Sequence, residues 1–185
     1  YAVFGYRNVK KSTDGGNTWN PLYPPNGDGP VLAMAVHPQT PQRLYLGTGH
    51  GILRSSDGGE TWAPSHSGIV ASDVRQIADV PGNAGHLYAA THWGIFRTTD
   101  AGKTWQEVSR GLQDLNILRL AIDPWNPRRI YASTFEGAIY HTVDGGENWT
   151  FAHEPIVKGA QIVDMVVCYP PSYRGPAGAL FVSVE

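Results

Sequence analysis

The side chains in this 185-residue sequence best suited to acid–base work are carboxylates, and their spacing sorts them into two groups. Asp14, Asp57, Asp100 and Asp144 recur at steps of 43, 43 and 44 residues. Asp28, Asp73, Glu136 and Glu154 follow no such step. Cleavage of a glycosidic bond needs two carboxyl groups flanking it, roughly 5–9.5 Å apart. Glu136 with Asp28, Asp73 or Glu154 supplies the residue types, but nothing in the sequence sets that distance. The seven histidines show no metal-ligand spacing, and neither a phosphate-cradling glycine loop nor a nucleophile elbow occurs. Asn26-Gly27-Asp28-Gly29 has the flavour of a calcium loop, but one acid among turn residues is too little. Neither a metal nor a cofactor is expected.

The periodic aspartates belong to a repeated octapeptide. The copies are Ser12-Thr13-Asp14-Gly15-Gly16-Asn17-Thr18-Trp19, Ser55 to Trp62, Thr98 to Trp105 and Thr142 to Trp149. Each copy separates two strand-like runs, so it must reverse the chain. Aspartate pins a turn by accepting from backbone N–H groups a residue or two ahead. The glycines after it supply positive φ. Thr18, Thr61, Thr104 or Asn148, followed by Trp19, Trp62, Trp105 or Trp149, then opens the next strand. Burying each indole against a sheet contributes roughly 2–3 kcal/mol. These four acids read as turn locks and not as catalysts. A period of this size in short strands marks radially stacked β units, the blades of a propeller.

The pattern S-x-D-x-G-x-T-W resembles the Asp-box, or BNR, repeat. It is known from sialidases, the luminal propeller of sortilin, xyloglucan-cleaving glucanases and photosystem II assembly-factor propellers. The third copy departs at Thr98 and Ala101, the fourth at Thr142 and Asn148. The resemblance covers almost the whole chain. It implies an all-β propeller, but the family mixes enzymes, receptors and assembly factors, so it does not select an activity. A sialidase-like site would also need an arginine cluster and a tyrosine nucleophile. Arg7, Arg110 and Arg119 are available, but the Phe/Tyr-Arg-Ile-Pro element of that group is absent.

Composition agrees with packed sheets. There are 22 Gly, 14 Pro, six Trp and nine Tyr, with only 16% charged residues. A net charge of −2 gives no basic field for nucleic acid. The single Cys168, in an apolar run, reads as a small core residue. No apolar run is long enough to span a bilayer, so direct membrane insertion is not expected.

The segments between the octapeptides repeat as well: Pro38, Pro81 and Pro124 stand 43 apart, as do Tyr45, Tyr88 and Tyr131. The expected organisation is one Asp-box propeller segment over 1–185. Its blades lie at about 1–23 (partial), 30–66, 73–109, 116–152 and 161–185 (partial), with 17 strands distributed three, four, four, four and two. Tyr1 matches the second strand of a blade and Leu180 to Ser183 matches a second strand again. The reading is therefore part of a larger ring of six or more blades, set against a five-blade ring with a redundant strand.

In such blades the turn between strands one and two shares a rim with the Asp-box. The turn between strands two and three lies on the opposite, axial face with the inter-blade connections, where loops converge and ligands bind. That face is expected to carry Tyr6, Arg7, His50, His92, Trp93, Phe135 and Glu136. The connections add Asn26, Asp28, His66, Asp73, Arg110, Asp114, His153, Glu154 and Lys158. Aromatic groups beside a few polar ones suit a peptide side chain or a sugar face. Trp93, outside the octapeptide series, is the leading single candidate, and Trp125, on the other rim, reads as a lid on a blade edge. The expected function is a non-catalytic scaffold or assembly propeller that binds a protein partner or larger complex. It would work outside the cytoplasm (secreted, periplasmic or luminal) or at a membrane complex. The alternative is a piece of a glycoside hydrolase, for which carbohydrate would be the ligand.

Overall fold

The structure, a computed structural model, describes residues 1–4, 8–24, 29–70, 73–155, 160–169 and 178–185. Every regular element among them is a β-strand. The first sheet holds β1 (Ala2–Phe4), β2 (Asn8–Lys11) and β3 (Asn20–Leu22). The second holds β4 (Val31–Val36), β5 (Leu44–Thr48), β6 (Gly51–Ser55) and β7 (Ala63–Pro64). The third holds β8 (Val74–Asp79), β9 (Leu87–Thr91), β10 (Gly94–Thr98) and β11 (Gln106–Glu107). The fourth holds β12 (Ile117–Ile122), β13 (Ile130–Thr134), β14 (Ile139–Thr142) and β15 (Thr150–His153), and the last pairs β16 (Ile162–Cys168) with β17 (Ala179–Val184). All pairings are antiparallel between chain neighbours, and the first strands β4, β8, β12 and β16 pack side by side in order. This is the blade architecture of a β-propeller.

Second strands are apolar on both faces because each sheet is sandwiched between two others. Along β9, Leu87 and Ala89 face the second sheet's Tyr45 and Ile52, whereas Tyr88 and Ala90 face the fourth sheet's Ile130 and Trp149. The core is thus divided into four clusters, one at each junction between sheets.

The octapeptides are closed by their own side chains. In the first, Thr18 donates its N–H to Asp14 Oδ1 (2.9 Å) and its hydroxyl to Oδ2 (2.5 Å), and Gly16 N–H reaches Ser12 Oγ (2.8 Å). The same bonds recur at Asp57, Asp100 and Asp144, with the Asn148 side-chain amide standing in for a hydroxyl. Two details correct the reading from sequence. The carboxylate reaches four residues ahead and not one or two, because two residues in the left-handed region coil the chain back over it, as Gly15 (φ 73°) and Gly16 (φ 94°) do. The ladder starts one residue after each tryptophan, because the preceding threonine or asparagine is committed to the carboxylate.

Burial of the four indoles is unequal, which corrects the uniform stabilisation expected of them. Trp105 and Trp149 are 5% and 4% exposed, and each donates its Nε1–H into the preceding sheet, to Ser65 O (2.8 Å) and Val108 O (2.7 Å). Their backbone N–H groups bond Ser67 O and Arg110 O, both at 2.8 Å. Gly68 (φ 91°) and Gly111 (φ 96°) make this possible: a Cβ there would lie 2.1 and 2.2 Å from the carbonyl oxygens of Trp105 and Trp149. Trp62 and Trp19 instead bond within their own turns, to Gly59 O (3.0 Å) and Gly16 O (2.9 Å), and Trp19 is 37% exposed.

First strands are linked by side chains. The Gln76 amide both donates to Leu120 O (3.1 Å) and accepts from Leu120 N–H (2.6 Å), and Arg119 Nε donates to Val163 O (2.7 Å). At the outer rim, buried Asp123 accepts from Trp125 N, Asn126 N and Arg129 Nη1 in its own turn, and from Tyr169 OH of the next sheet (2.7 Å). Trp125 itself is 80% exposed, meeting the Tyr169 ring edge-on at 6.4 Å.

Candidate functional site

Backbone hydrogen bonds define two ends of the blades. Gly58 N–H to Gln42 O, Ala101 N–H to Gly85 O and Gly145 N–H to Arg128 O tie the last three octapeptides to the first turn of their own sheets. At the other end, Gly49 N–H bonds Pro30 O, Asp73 N–H bonds Gly49 O, Gly94 N–H bonds Leu115 O and Phe135 N–H bonds Asn116 O. The second turn of each sheet is thereby stitched to the connections between sheets. Short turns make this face stiff: the Thr48 and Thr91 hydroxyls each donate across the turn, to Gly51 O and Gly94 O.

On this face one cluster gathers groups from two successive sheets. Arg75, the second residue of β8, donates through Nη1 to Asn116 Oδ1 and through Nη2 to His92 Nδ1 (3.3 Å). Its guanidinium carbon lies 5.6 Å from the centroid of the Phe135 ring, a cation–π contact. His92 packs edge-on against Trp93 at 5.3 Å. Trp93 is 57% exposed and Phe135 39%, so the cluster presents two aromatic surfaces around a partly buried cation. Burial pushes the Arg75 pKa below the usual guanidinium value, while Asp73 beside it pulls the other way and Arg119 adds a smaller depression. The donor–acceptor pattern assigns His92 the tautomer with its proton on Nε2. The arrangement offers cationic and amide donors beside aromatic rings, suited to holding acceptor groups next to an apolar side chain.

His92, Trp93 and Phe135 are therefore drawn together, as are the turn and connection that carry them. His50 stands exposed on the second sheet's turn, and Glu136 is exposed with no hydrogen bond or ion pair among the described residues. Tyr6, Arg7, Asn26, Asp28 and Lys158 lie outside the described residues. Several connection residues are occupied structurally: His66 Nδ1 pairs with Ile52 O (3.3 Å), and Asp114 accepts from Asn116 N–H (2.9 Å). Arg75 and Asn116 escape sequence reasoning. The one available signal is that Arg75 is a cation in the run whose counterparts, 43 residues away on either side, are Leu32 and Leu118. Among the described residues no three His, Cys, Asp or Glu side chains gather as a metal site would require.

Sheets of this topology carrying four such boxes define an Asp-box (BNR) β-propeller. The profile of the family described as photosynthesis system II assembly factor YCF48 matches residues 27–164, and the chain belongs to that family. Among solved structures, it is similar to YCF48 bound to a D1 peptide, with 21% identity and a TM-score of 0.66 over 96% of this chain and 56% of that one. YCF48 from Cyanidioschyzon merolae gives 23% and 0.56 over 69% and 38%. An ancestral GH74 enzyme gives 27% and 0.67 over 81% of this chain and 22% of that one. The chain thus spans between about a fifth and just over half the length of these structures. No curated protein matches it.

Proposed function

We propose that this chain is the propeller of an assembly factor and holds an extended segment of a partner protein across its axial face. The observation that carries the reading is the Arg75–His92–Asn116–Phe135 cluster with Trp93 exposed at its edge. Arginine and tryptophan are the side chains that most often anchor peptide and protein partners. A stiff turn lowers the entropy lost on binding. Family membership and the D1 peptide bound by the YCF48 structure support a protein ligand. Work outside the cytoplasm, at a membrane-bound complex, belongs to the same proposal; among the described residues no helix is long and apolar enough to cross a membrane. The test is titration of a fluorescent D1 peptide against the protein. Trp93→Ala and Arg75→Met are each expected to weaken binding roughly tenfold or more. Affinity that both variants leave unchanged removes the reading.

A second reading is kept by the 27% identity to a GH74 enzyme: the same face takes a glycan, with Glu136 as one of two carboxyl groups. Incubation with xyloglucan distinguishes it. Sugar release by the wild type that Glu136→Gln abolishes would replace binding by hydrolysis.

A further inference from the structure

Three grooves repeat along the outer edge, each between the last strands of one sheet and the octapeptide of the next. Each has a cation on the strand that leads into its sheet's own octapeptide: Lys11 and Arg54 line the first two grooves, and Arg97 reaches Glu147 of the third. Opposite stands the residue after the glycines of the next octapeptide: Glu60, Lys103 or Glu147. In the third groove the two close as an ion pair, Arg97 Nη1 to Glu147 Oε1 at 2.8 Å, and Arg97 also donates to Gly145 O (3.1 Å). In the first, Lys11 and Glu60 line the same hollow. The second groove breaks the rule, since Arg54 faces Lys103.

That groove, about 460 Å³, is lined by Arg54, Ser56, Ser65, Ser67, Gly102 and Lys103, over a floor of Ala63 and Pro64. No carboxylate lines it, whereas Glu60 lines the first groove and Glu107 and Glu147 the third. The acids of the flanking octapeptides, Asp57 and Asp100, are tied to Thr61 and Thr104. Tyr45 OH bonds the Ala101 carbonyl (3.0 Å) as Tyr88 OH bonds that of Gly145 (2.8 Å), but only at Gly145 does the arginine of the third-groove pair join it. Arg54 Nε is buried with no partner among the described residues. A buried guanidinium N–H without an acceptor is costly; beside it the groove gathers two positive charges and the Ser56 and Ser67 hydroxyls with no acid to neutralise them, whereas the Ser65 hydroxyl is bonded to Gly102 O (2.6 Å).

We propose that the groove between the second and third sheets binds a tetrahedral oxyanion, a phosphate or sulfate group. Arg54 and Lys103 supply the charge, and the Ser56 and Ser67 hydroxyls donate to its oxygens. The site lies on the octapeptide side of the blades, away from the axial cluster, and does not depend on what that cluster holds.

The test is NMR titration of the ¹⁵N-labelled protein with inorganic phosphate and, separately, with sulfate, ionic strength held constant with chloride. Saturable shifts are expected at Arg54 Nε–H and the Lys103 amide, with Kd on the order of millimolar, as befits a half-open site. Tighter phosphate binding at pH 8 than at pH 6, with sulfate unchanged, would mark the dianion as the preferred form. Lys103→Glu recreates the pairing seen at Arg97 and is expected to weaken binding at least tenfold. Glu147→Lys combined with Glu107→Gln removes that pairing and the third groove's other carboxylate, and is expected to give a new saturable response at Arg97. Lys103, Glu107 and Glu147 are exposed, so neither variant threatens the fold. The proposal is overturned if Arg54 shows no saturable shift by tens of millimolar phosphate. Unchanged affinity in Lys103→Glu, or no new response in the Glu107→Gln, Glu147→Lys double variant, overturns it equally.

Discussion

Ala101 sits at φ 60°, where the other three octapeptides place Gly15, Gly58 and Gly145 at 73°, 79° and 77°. An L side chain in that region is disfavoured by about 1–2 kcal/mol, part of which glycine returns as unfolded-state entropy. Ala101→Gly is therefore expected to raise stability by about 0.5–1 kcal/mol, measured by urea denaturation. The neighbouring carboxylates make stability pH-dependent. Hydrogen bonds from the Thr18 side chain and backbone hold Asp14 down to about 2, and those from Thr104 hold Asp100 at about 2. Asp57, through Thr61, and Asp144, through the Thr142 and Asn148 side chains, lie well below the usual carboxylate range. A folded-state pKa lowered from 3.8 means that the native state binds fewer protons than the unfolded one. The stabilisation is complete above about pH 4 and is lost as pH falls from there through 2. Denaturation midpoints are expected to hold nearly level on this account from pH 7 to 5 and to drop between pH 4 and 2. A shallower drop in Asp100→Asn would trace part of it to that turn.

At the scale of the strand and its turns, Gly68 and Gly111 decide how closely adjacent blades approach. Gly15 is a useful contrast: its φ is also positive, but an added Cβ would meet nothing within 4 Å. Gly15→Ala should then cost only the backbone term, about 1 kcal/mol. Gly111→Ala adds a collision with a backbone carbonyl at 2.2 Å and is expected to cost about 2–4 kcal/mol, read as a lowered thermal midpoint. The sheets themselves were readable because every strand is bracketed by turn residues and the pattern returns every 43 or 44 positions. What the period hides is where it fails. Ser67-Gly68 and Arg110-Gly111 receive the next indole, but one step earlier stand Pro24-Pro25. Trp62, facing that junction, bonds its own Gly59. The axial cluster was half readable for a related reason. His92, Trp93 and Phe135 announce themselves as large groups in short turns. Arg75 finds Asn116 only across a junction, 41 residues on, and no local pattern encodes that meeting.

For the whole molecule, the consequence is a core dispersed among junctions, with stability a sum of neighbour-to-neighbour terms. Those terms are unequal. The second-to-third and third-to-fourth junctions have a docked indole, a glycine contact and large apolar clusters, and the third-to-fourth adds the Gln76 clamp. The first-to-second has a smaller cluster, and Trp62, packed partly buried against it, bonds within its own turn and not across the junction. Amide hydrogen exchange followed by mass spectrometry should find β9, β10, β13 and β14 the slowest, with β2 and β3 exchanging earlier. Equal protection across all sheets would contradict this ranking. The unequal indoles have one more use. Of six tryptophans, Trp105 and Trp149 are sealed inside junctions, whereas Trp19, Trp93 and Trp125 meet solvent. The protein therefore carries a built-in optical gauge. The blue-edge emission that acrylamide fails to quench comes chiefly from the two sealed rings, and its loss would time the parting of blades without any attached dye.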